Sequence, residues 1–401
     1  MTRSAAALLG LLLLHGCGGS SDPEDRVRSD QAVAFQIDAA HTGVSGVVAP
    51  AFPASAAWTA TFAGQLSYPL IAGGKVYVVE AADFSTGSAS RLHALDRGTG
   101  ATAWGPVSLP GTGQTAGHAF DGGKLFIATF DGLVLSFDAA TGQPGWSTKL
   151  PQSYGFVTVP TATGGTVYLG DGGSNRIVAL SEANGVLLWS TPVNGGGFGT
   201  PSVAGSGVYV AYPCQTYRLA IATGAEVWHN DEGCSGGGGA TAPVVDDRLY
   251  VRGFDFVSTL APFIDARNAT TGTRGNRYAS VGSFTQAPIP ALATDAVYLL
   301  DNATLRRFDP ALGAAAWSFA GDGTLVTPPI VVGSAVIVGA KSGMLYAVDG
   351  KTGAQTWSVQ LPSGIDDNND ASVLMPSGLA AGEGMLVVPS RHKLTAFRLA
   401  P

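Results

Sequence analysis

Ala347-Val-Asp349-Gly-Lys-Thr352-Gly353-Ala-Gln-Thr-Trp357 is one copy of a phrase that recurs through this chain of 401 residues. Ala94-Leu-Asp96-Arg-Gly-Thr99-Gly100-Ala-Thr-Ala-Trp104 and Ser136-Phe-Asp138-Ala-Ala-Thr141-Gly142-Gln-Pro-Gly-Trp146 repeat it closely. Looser copies end on Trp189, Trp228 and Trp317, each four residues after a glycine (Gly185, Gly224 and Gly313). Trp58 stands outside the phrase and completes the 7 tryptophans of the chain. Self-similarity at a period of about 40 residues marks a repeat architecture, in which each unit buries its apolar faces on its neighbours.

Ahead of each phrase lies a β-branched and aromatic run, such as Lys75-Val-Tyr-Val-Val79, Thr166-Val-Tyr-Leu169 and Arg248-Leu-Tyr-Val251. Composition and flanking turn residues make these strands. A shorter strand before them opens at Pro69, Pro160, Pro201, Pro243 or Pro329, a position where the missing N–H is tolerated. Each unit therefore predicts four short antiparallel strands, with the Asp-x-x-Thr-Gly turn between the third and fourth. The glycine supplies φ > 0 there, and the Asp or Thr side chain bonds the turn backbone. Four strands per 40-odd residues around an axis make a β-propeller blade.

The interval from Trp228 to Trp317 is about twice the usual period. Thr271-Gly272 marks the repeat hidden in it, with Asn276 where a tryptophan is expected. After Trp357 come Met385-Leu-Val-Val388 and Leu394-Thr-Ala396-Phe-Arg-Leu399, with no fourth strand behind them. Ala56-Ala-Trp58-Thr-Ala-Thr-Phe62 is a fourth strand with no preceding three. The expected fold is all-β: an eight-bladed propeller whose N-terminal strand closes the last blade and removes the open sheet edges. Trp58, Trp104, Trp146, Trp189, Trp228, Trp317 and Trp357 are the expected blade-docking residues.

Charged residues make up 13% of the chain, and 56 residues are glycine, as turn-rich blades with small interior residues require. The net charge of −7 and the absence of a basic tract exclude nucleic acid as a partner. No catalytic constellation emerges: there is no Gly-x-Ser-x-Gly elbow, and the histidines lack ligand spacing. The glycine runs at Gly195 and Ser235 precede no Lys-Ser/Thr, so they are not phosphate loops. His118, in the place of Pro69 and Pro160 at a blade's inner edge, is read as a satisfied structural histidine or, alternatively, a channel-lining one. Asp366, Asn368 and Asp370 match the opening of a calcium loop and are the metal candidates, although Ala371 and Ser377 stand where Gly and Glu are wanted. Blade 5 carries Arg248, Arg252, Arg267, Arg274 and Arg277, read as a drifted repeat or, alternatively, a partner face.

Arg3 and the apolar run Ala5 to Leu14, too short to cross a bilayer, lead into Leu14-His15-Gly16-Cys17. This pattern reads as an export signal and resembles the lipobox of bacterial lipoproteins. The resemblance implies residues 1–16 as signal peptide and a lipid on Cys17. Residues 17–31 read as a flexible Gly/Ser/Pro-rich tether, and 32–401 as the propeller. In an exported protein Cys214 and Cys234 are expected to pair; the alternative is two free thiols.

The repeated phrase resembles the tryptophan-docking repeat of pyrroloquinoline-quinone (PQQ) type propellers, over residues 35–399. Asp38-Ala-Ala-His41-Thr42-Gly43 resembles the segment that precedes blade 1 in many of them. The chain is similar to the outer-membrane assembly lipoprotein (BamB) family. That resemblance implies a non-catalytic, monomeric ring without cofactor. Such a ring is lipid-anchored in the bacterial envelope, at the outer membrane, and presents its loop faces to envelope proteins. The alternative branch is the quinone-dependent dehydrogenases, which would imply PQQ with Ca²⁺. Those enzymes carry an adjacent cysteine pair over the quinone, whereas Cys214 and Cys234 are far apart in sequence. A ligand-binding or sensor module is a third reading, since fold alone does not carry function.

Overall fold

A computed structural model describes residues 30–47, 50–82, 89–110, 115–150, 157–194, 199–212, 214–233, 240–254, 262–282, 288–367, 370 and 375–399. Eight sheets form the ring, each built on four antiparallel strands ordered from the axis outward, consecutive in sequence in every blade but the eighth. Blade 1, for example, comprises Leu70–Ala72, Lys75–Glu80, Arg91–Asp96 and Thr102–Ser108. Blade 8 has its first three strands at Ala380–Gly382, Met385–Ser390 and Lys393–Arg398. Its fourth is Ser55–Thr61, paired antiparallel to Lys393–Arg398. The inner three strands of each blade are almost wholly buried and the fourth is largely exposed, as blade 3 illustrates.

The Asp-x-x-Thr-Gly turn forms as expected. Asp96 Oδ1 accepts from the Thr99 amide at 2.9 Å and the Thr99 hydroxyl at 2.7 Å. Asp138 and Asp349 hold Thr141 and Thr352 in the same way. Those bonds, the threonine hydroxyl's foremost, hold all three carboxyls below the usual range.

The glycine of each turn also receives the tryptophan of the preceding blade. Gly142 has φ 74°, and a Cβ there would lie 2.5 Å from the Trp104 ring. Gly100 faces Trp58, Gly185 faces Trp146, Gly224 faces Trp189, Gly272 faces Trp228 and Gly353 faces Trp317 in the same way. Each indole N–H then reaches a carbonyl of the neighbouring turn: Trp58 to Arg97 at 2.8 Å, Trp104 to Ala139 at 3.0 Å and Trp146 to Glu182 at 2.9 Å. Trp189, Trp228 and Trp317 do so at 3.1 Å. A register shift sits beside most of these tryptophans; such bulges re-aim a side chain.

Two seams differ. Blade 8 has no such turn, and Trp357 packs instead on Phe52 (5.8 Å between centroids) and Phe397 (5.4 Å). At the seam of blades 5 and 6, Asn276 is exposed. Gly313 is absent from the positive-φ glycines, and Leu312 takes the left-handed conformation instead, at φ 57°. Both halves of the docking pair are therefore missing at one seam.

Candidate functional site

In a ring without helices among the described residues, chemistry has to sit at the axis, at the loop mouth or on the rim. The axis is crossed by residues 32–45. This segment bonds the inner strand of every blade in turn. Ala32 exchanges two bonds with Ile71 of blade 1 (2.9 and 2.8 Å), and the Val33 carbonyl accepts from Phe120 N of blade 2 at 2.8 Å. The Ala39 and Ala40 carbonyls take Val203 N of blade 4 and Val244 N of blade 5, at 2.8 and 3.0 Å. Thr42 and Gly43 carbonyls take Leu292 N and Val331 N of blades 6 and 7, both at 2.7 Å. Val44–Ser45 then adds to blade 7 as a parallel strand, and the Ser45 hydroxyl donates to Ala381 O of blade 8 at 2.8 Å.

His41 completes the set from the centre and is fully buried. Its Nδ1 lies 2.6 Å from Phe35 O. Its Nε2 lies 3.0 Å from Thr161 Oγ1 of blade 3 and 3.2 Å from Pro201 O of blade 4. Burial pulls its pKa below the ordinary histidine value, against the Phe35 bond and the Asp38 charge. Asp38 braces the bend by accepting from Thr42 N at 3.0 Å and from the Thr42 hydroxyl at 2.5 Å. Gln36, Ile37 and His41 all have positive φ (56°, 76° and 55°). For a β-branched residue such as Ile37 that is a true outlier, held by the surrounding bonds. The Gln36 amide donates to Ile289 O and Pro329 O at 3.4 and 3.3 Å.

The loop side of the axis is spanned from the connection between blades 7 and 8. Asp370 accepts from Thr241 N at 2.6 Å and pairs with Arg252 of blade 5, both side chains 1% exposed. The Thr115 hydroxyl of blade 2 bonds Met375 Sδ at 3.1 Å, and Tyr68 N of blade 1 donates to Pro376 O at 3.1 Å. Tyr68 stacks on His118 at 4.7 Å and packs at a tilt against Phe35 at 5.2 Å. His118 is fully buried, with a hydrogen bond to the Tyr77 backbone set against that burial. Burial pushes its pKa down to about 3.

The metal candidates do not converge. Asp370 faces Arg252, Asp367 takes Lys341 at 2.5 Å, and Asp366 is half-buried, with a carboxyl raised above the usual range by that burial. Asn368 lies outside the described residues. Among the described residues no three His, Cys, Asp or Glu side chains are grouped to hold a metal ion. Cys214 is buried; Cys17 and Cys234 lie outside the described residues, as do the glycine runs at 195–198 and 235–239 and the expected signal peptide.

Three arginines of blade 5, Arg267, Arg274 and Arg277, are paired with two carboxylates. Buried Asp265 accepts from Arg267 at 3.0 Å and from Arg277 at 2.6 Å. Glu232 takes Arg277 at 3.3 Å and Arg274 at 3.8 Å, besides Arg267. Exposed large apolar side chains lie on the outer edges of blades 3 and 4, where Val186, Leu187 and Leu188 are 57%, 44% and 53% exposed and Val227 49%, and at Val281 beyond the outer strand of blade 5, 67% exposed. Sequence reasoning caught the axis segment only as a resemblance over Asp38–Gly43, and missed Phe52, the Arg252–Asp370 pair and the apolar rim.

Comparison with known proteins fits this geometry. A family model described as "Outer membrane protein assembly factor BamB" matches residues 88–213, 155–254 and 215–400. The BamB of Bordetella pertussis is 28% identical over 191 residues, 47% of this chain and 43% of that protein. The dehydrogenase subunit of a quinone alcohol dehydrogenase from Gluconobacter oxydans is 32% identical over 149 residues, 31% of this chain and 19% of that protein. The chain thus matches less than half the length of these two relatives. Among solved structures, BamB from Moraxella catarrhalis superposes with a TM-score of 0.62 at 17% identity, covering 86% of this chain and 97% of that one. A europium-containing methanol dehydrogenase superposes at 0.67 with 15% identity, covering 92% and 98%. Both likenesses are of fold. The family model spans well over half of the sequence, and the chain belongs to the PQQ-like propeller family described as outer membrane protein assembly factor BamB.

Proposed function

We propose that the protein is a non-catalytic scaffold of the bacterial envelope, lipid-anchored through Cys17 at the outer membrane, that takes part in outer-membrane protein assembly as a monomeric ring. The observation that carries this reading is that the chain's own residues fill the axis: 32–45 on the turn side, Asp370 and Met375 on the loop side. What remains for recognition is the outside of the ring. Val186, Leu187 and Leu188 lie at an outermost strand whose far edge pairs with no other strand among the described residues. Exposed apolar residues on an open edge favour addition of a partner's strand. The described residues fit PQQ and Ca²⁺ poorly, because Asp370 is engaged with Arg252 and Thr241, and Asp366 and Asp367 face elsewhere. A Cys214–Cys234 bridge is part of the proposal, supported by the disulfide-bonded state of Cys214.

Crosslinking in intact envelopes, followed by identification of captured proteins, tests the scaffold reading. It predicts capture of outer-membrane assembly components, and loss of that capture in Leu187→Asp/Leu188→Asp. Stoichiometric binding of added PQQ with Ca²⁺, together with dye-linked alcohol oxidation, would overturn it in favour of the dehydrogenase branch.

A further inference from the structure

The described chain enters the ring at one defined point. Asp30 is exposed, and its carbonyl accepts from Glu383 N at 2.5 Å. The Gln31 amide donates to Glu383 Oε1 at 3.2 Å. A Cβ on Gly382 would stand 2.8 Å from Asp30 O and 2.9 Å from Ala32 N, so glycine is what lets the entering chain lie this close. Gly382 and Glu383 belong to the link between the first two strands of blade 8, Ala380–Gly382 and Met385–Ser390. That link lies on the turn side, next to the inner strand. Glu383 Oε2 also takes Gly74 N of blade 1 at 2.9 Å and pairs with Arg97 at 3.5 Å. The entry point is therefore fixed to two blades, and it opens on the turn face.

Residues 18–29 lie outside the described residues, and their number alone sets a limit. The chain from Cys17 to Asp30 spans at most about 43–47 Å, even fully extended. The way from the entry point to the loop face uses most of that length. Three strand spacings carry it to the outer edge of a blade, roughly 14 Å. A six-residue strand such as Met385–Ser390 adds about 20 Å along the blade, and the connections beyond the strand ends add more. The axis offers no shorter way, because residues 32–45 bond the inner strands across it. A membrane lying on the loop face would thus stretch the tether close to its limit, whereas one on the turn face is within reach at any extension.

We propose that the lipid on Cys17 holds the ring with its turn face to the membrane and its loop face to the aqueous compartment. This rests on the lipid anchor of the proposed function and gives that anchor a direction. It also places the apolar rim. Val186 and Leu187 stand at the turn end of the outer strand Leu187–Pro192, and Val227 at the turn end of Glu226–Asp231. A strand added to that edge therefore comes from a chain lying close to the bilayer surface. Val281 and the Lys341–Asp367 pair lie on the opposite face and look away from the membrane.

Full-length lipidated protein in phosphatidylcholine vesicles tests it, with one fluorophore per molecule and an acceptor dye on the lipid headgroups. Ala140→Cys and Lys351→Cys carry the label on exposed turns of blades 2 and 7, and Val281→Cys and Lys341→Cys on the exposed loop side of blades 5 and 7. Strand length alone separates the two sets by about 20 Å, so turn-face labels should transfer energy at least about threefold more efficiently. Inserting a long Gly/Ser segment after Ser21 should bring the two sets together, because tether length and not an affinity of the face sets the direction. Loop-face labels that transfer as well as turn-face labels, in protein that floats with the vesicles, would overturn this inference and leave the lipid anchor standing. Protein without lipid on Cys17, read by mass spectrometry, would overturn the anchor itself and the orientation with it.

Discussion

Substituting Gly142 by alanine separates the two reasons for glycine in the repeated turn. One is backbone conformation: φ is 74°, and an L-residue there costs about 1–2 kcal/mol. The other is the Trp104 ring, 2.5 Å from where the new methyl would stand. The indole must back out and loses its 3.0 Å bond to Ala139 O, worth about 0.5–1.5 kcal/mol. Trp104 is partly buried, so about half of a tryptophan's roughly 150–250 Å² is at stake, about 2–3 kcal/mol as an upper bound. Together these come to roughly 3.5–6.5 kcal/mol, the top of that range resting on the upper-bound burial figure. Gly123 of the same blade has φ 78° and nothing within 4 Å of its Cβ position, so Gly123→Ala carries the backbone cost alone, about 1–2 kcal/mol. Equilibrium urea unfolding of both variants measures the difference. In a Trp104→Ala background the Gly142→Ala cost should fall to that of Gly123→Ala, a coupling that a double-mutant cycle isolates. Equal costs for the two glycines in the wild-type background, within about 0.5 kcal/mol, would refute the socket role.

Phe52→Ala and Trp357→Ala should each destabilise by about 2–4 kcal/mol, and the double variant by clearly less than their sum, because one contact is lost in all three; additive costs in melting experiments would contradict the shared seam. His118 is held neutral in the folded ring down to about pH 3, while the unfolded chain takes up a proton near pH 6.5. Stability should therefore fall as pH drops from 6.5 towards 3, by about 1.4 kcal/mol per pH unit from this residue, and His118→Phe should flatten that acid limb in pH-dependent unfolding. A Cys214–Cys234 bridge closing a loop of about 20 residues should lower stability by around 3 kcal/mol on reduction; no change in melting with and without reductant would count against the bridge.

The ring was legible because its determinants are periodic. Tryptophan recurs at one interval, and a glycine four residues before it sits in a turn that admits few other residues, so even the lost position at Asn276 could be located. Sequence order hid the partnership: the glycine and tryptophan of one phrase serve two different seams. The axis was not legible, because residues 32–45 form irregular backbone with no period, and its bonds are to main-chain atoms that any sequence supplies. Charge was visible in blade 5 but pairing was not; Asp265 among Arg267 and Arg277 is a contact across strands. Spacing over Asp366 to Asp370 suggested one ligand set, yet Asp367 and Asp370 pair with lysine and arginine on different blades.

The axis segment also carries an order in time. Residues 32–45 are made before any blade, yet their partners are spread over all eight inner strands, the last of them at Ala381. They cannot be held along their whole length until the final blade exists. The strand Ser55–Thr61 waits in the same way for Lys393–Arg398. These early segments are therefore the last to settle, so a ring caught part-way through synthesis has an unfilled centre and an unlatched circumference at once. A chaperone acting on this protein would have its longest task at the N-terminal end.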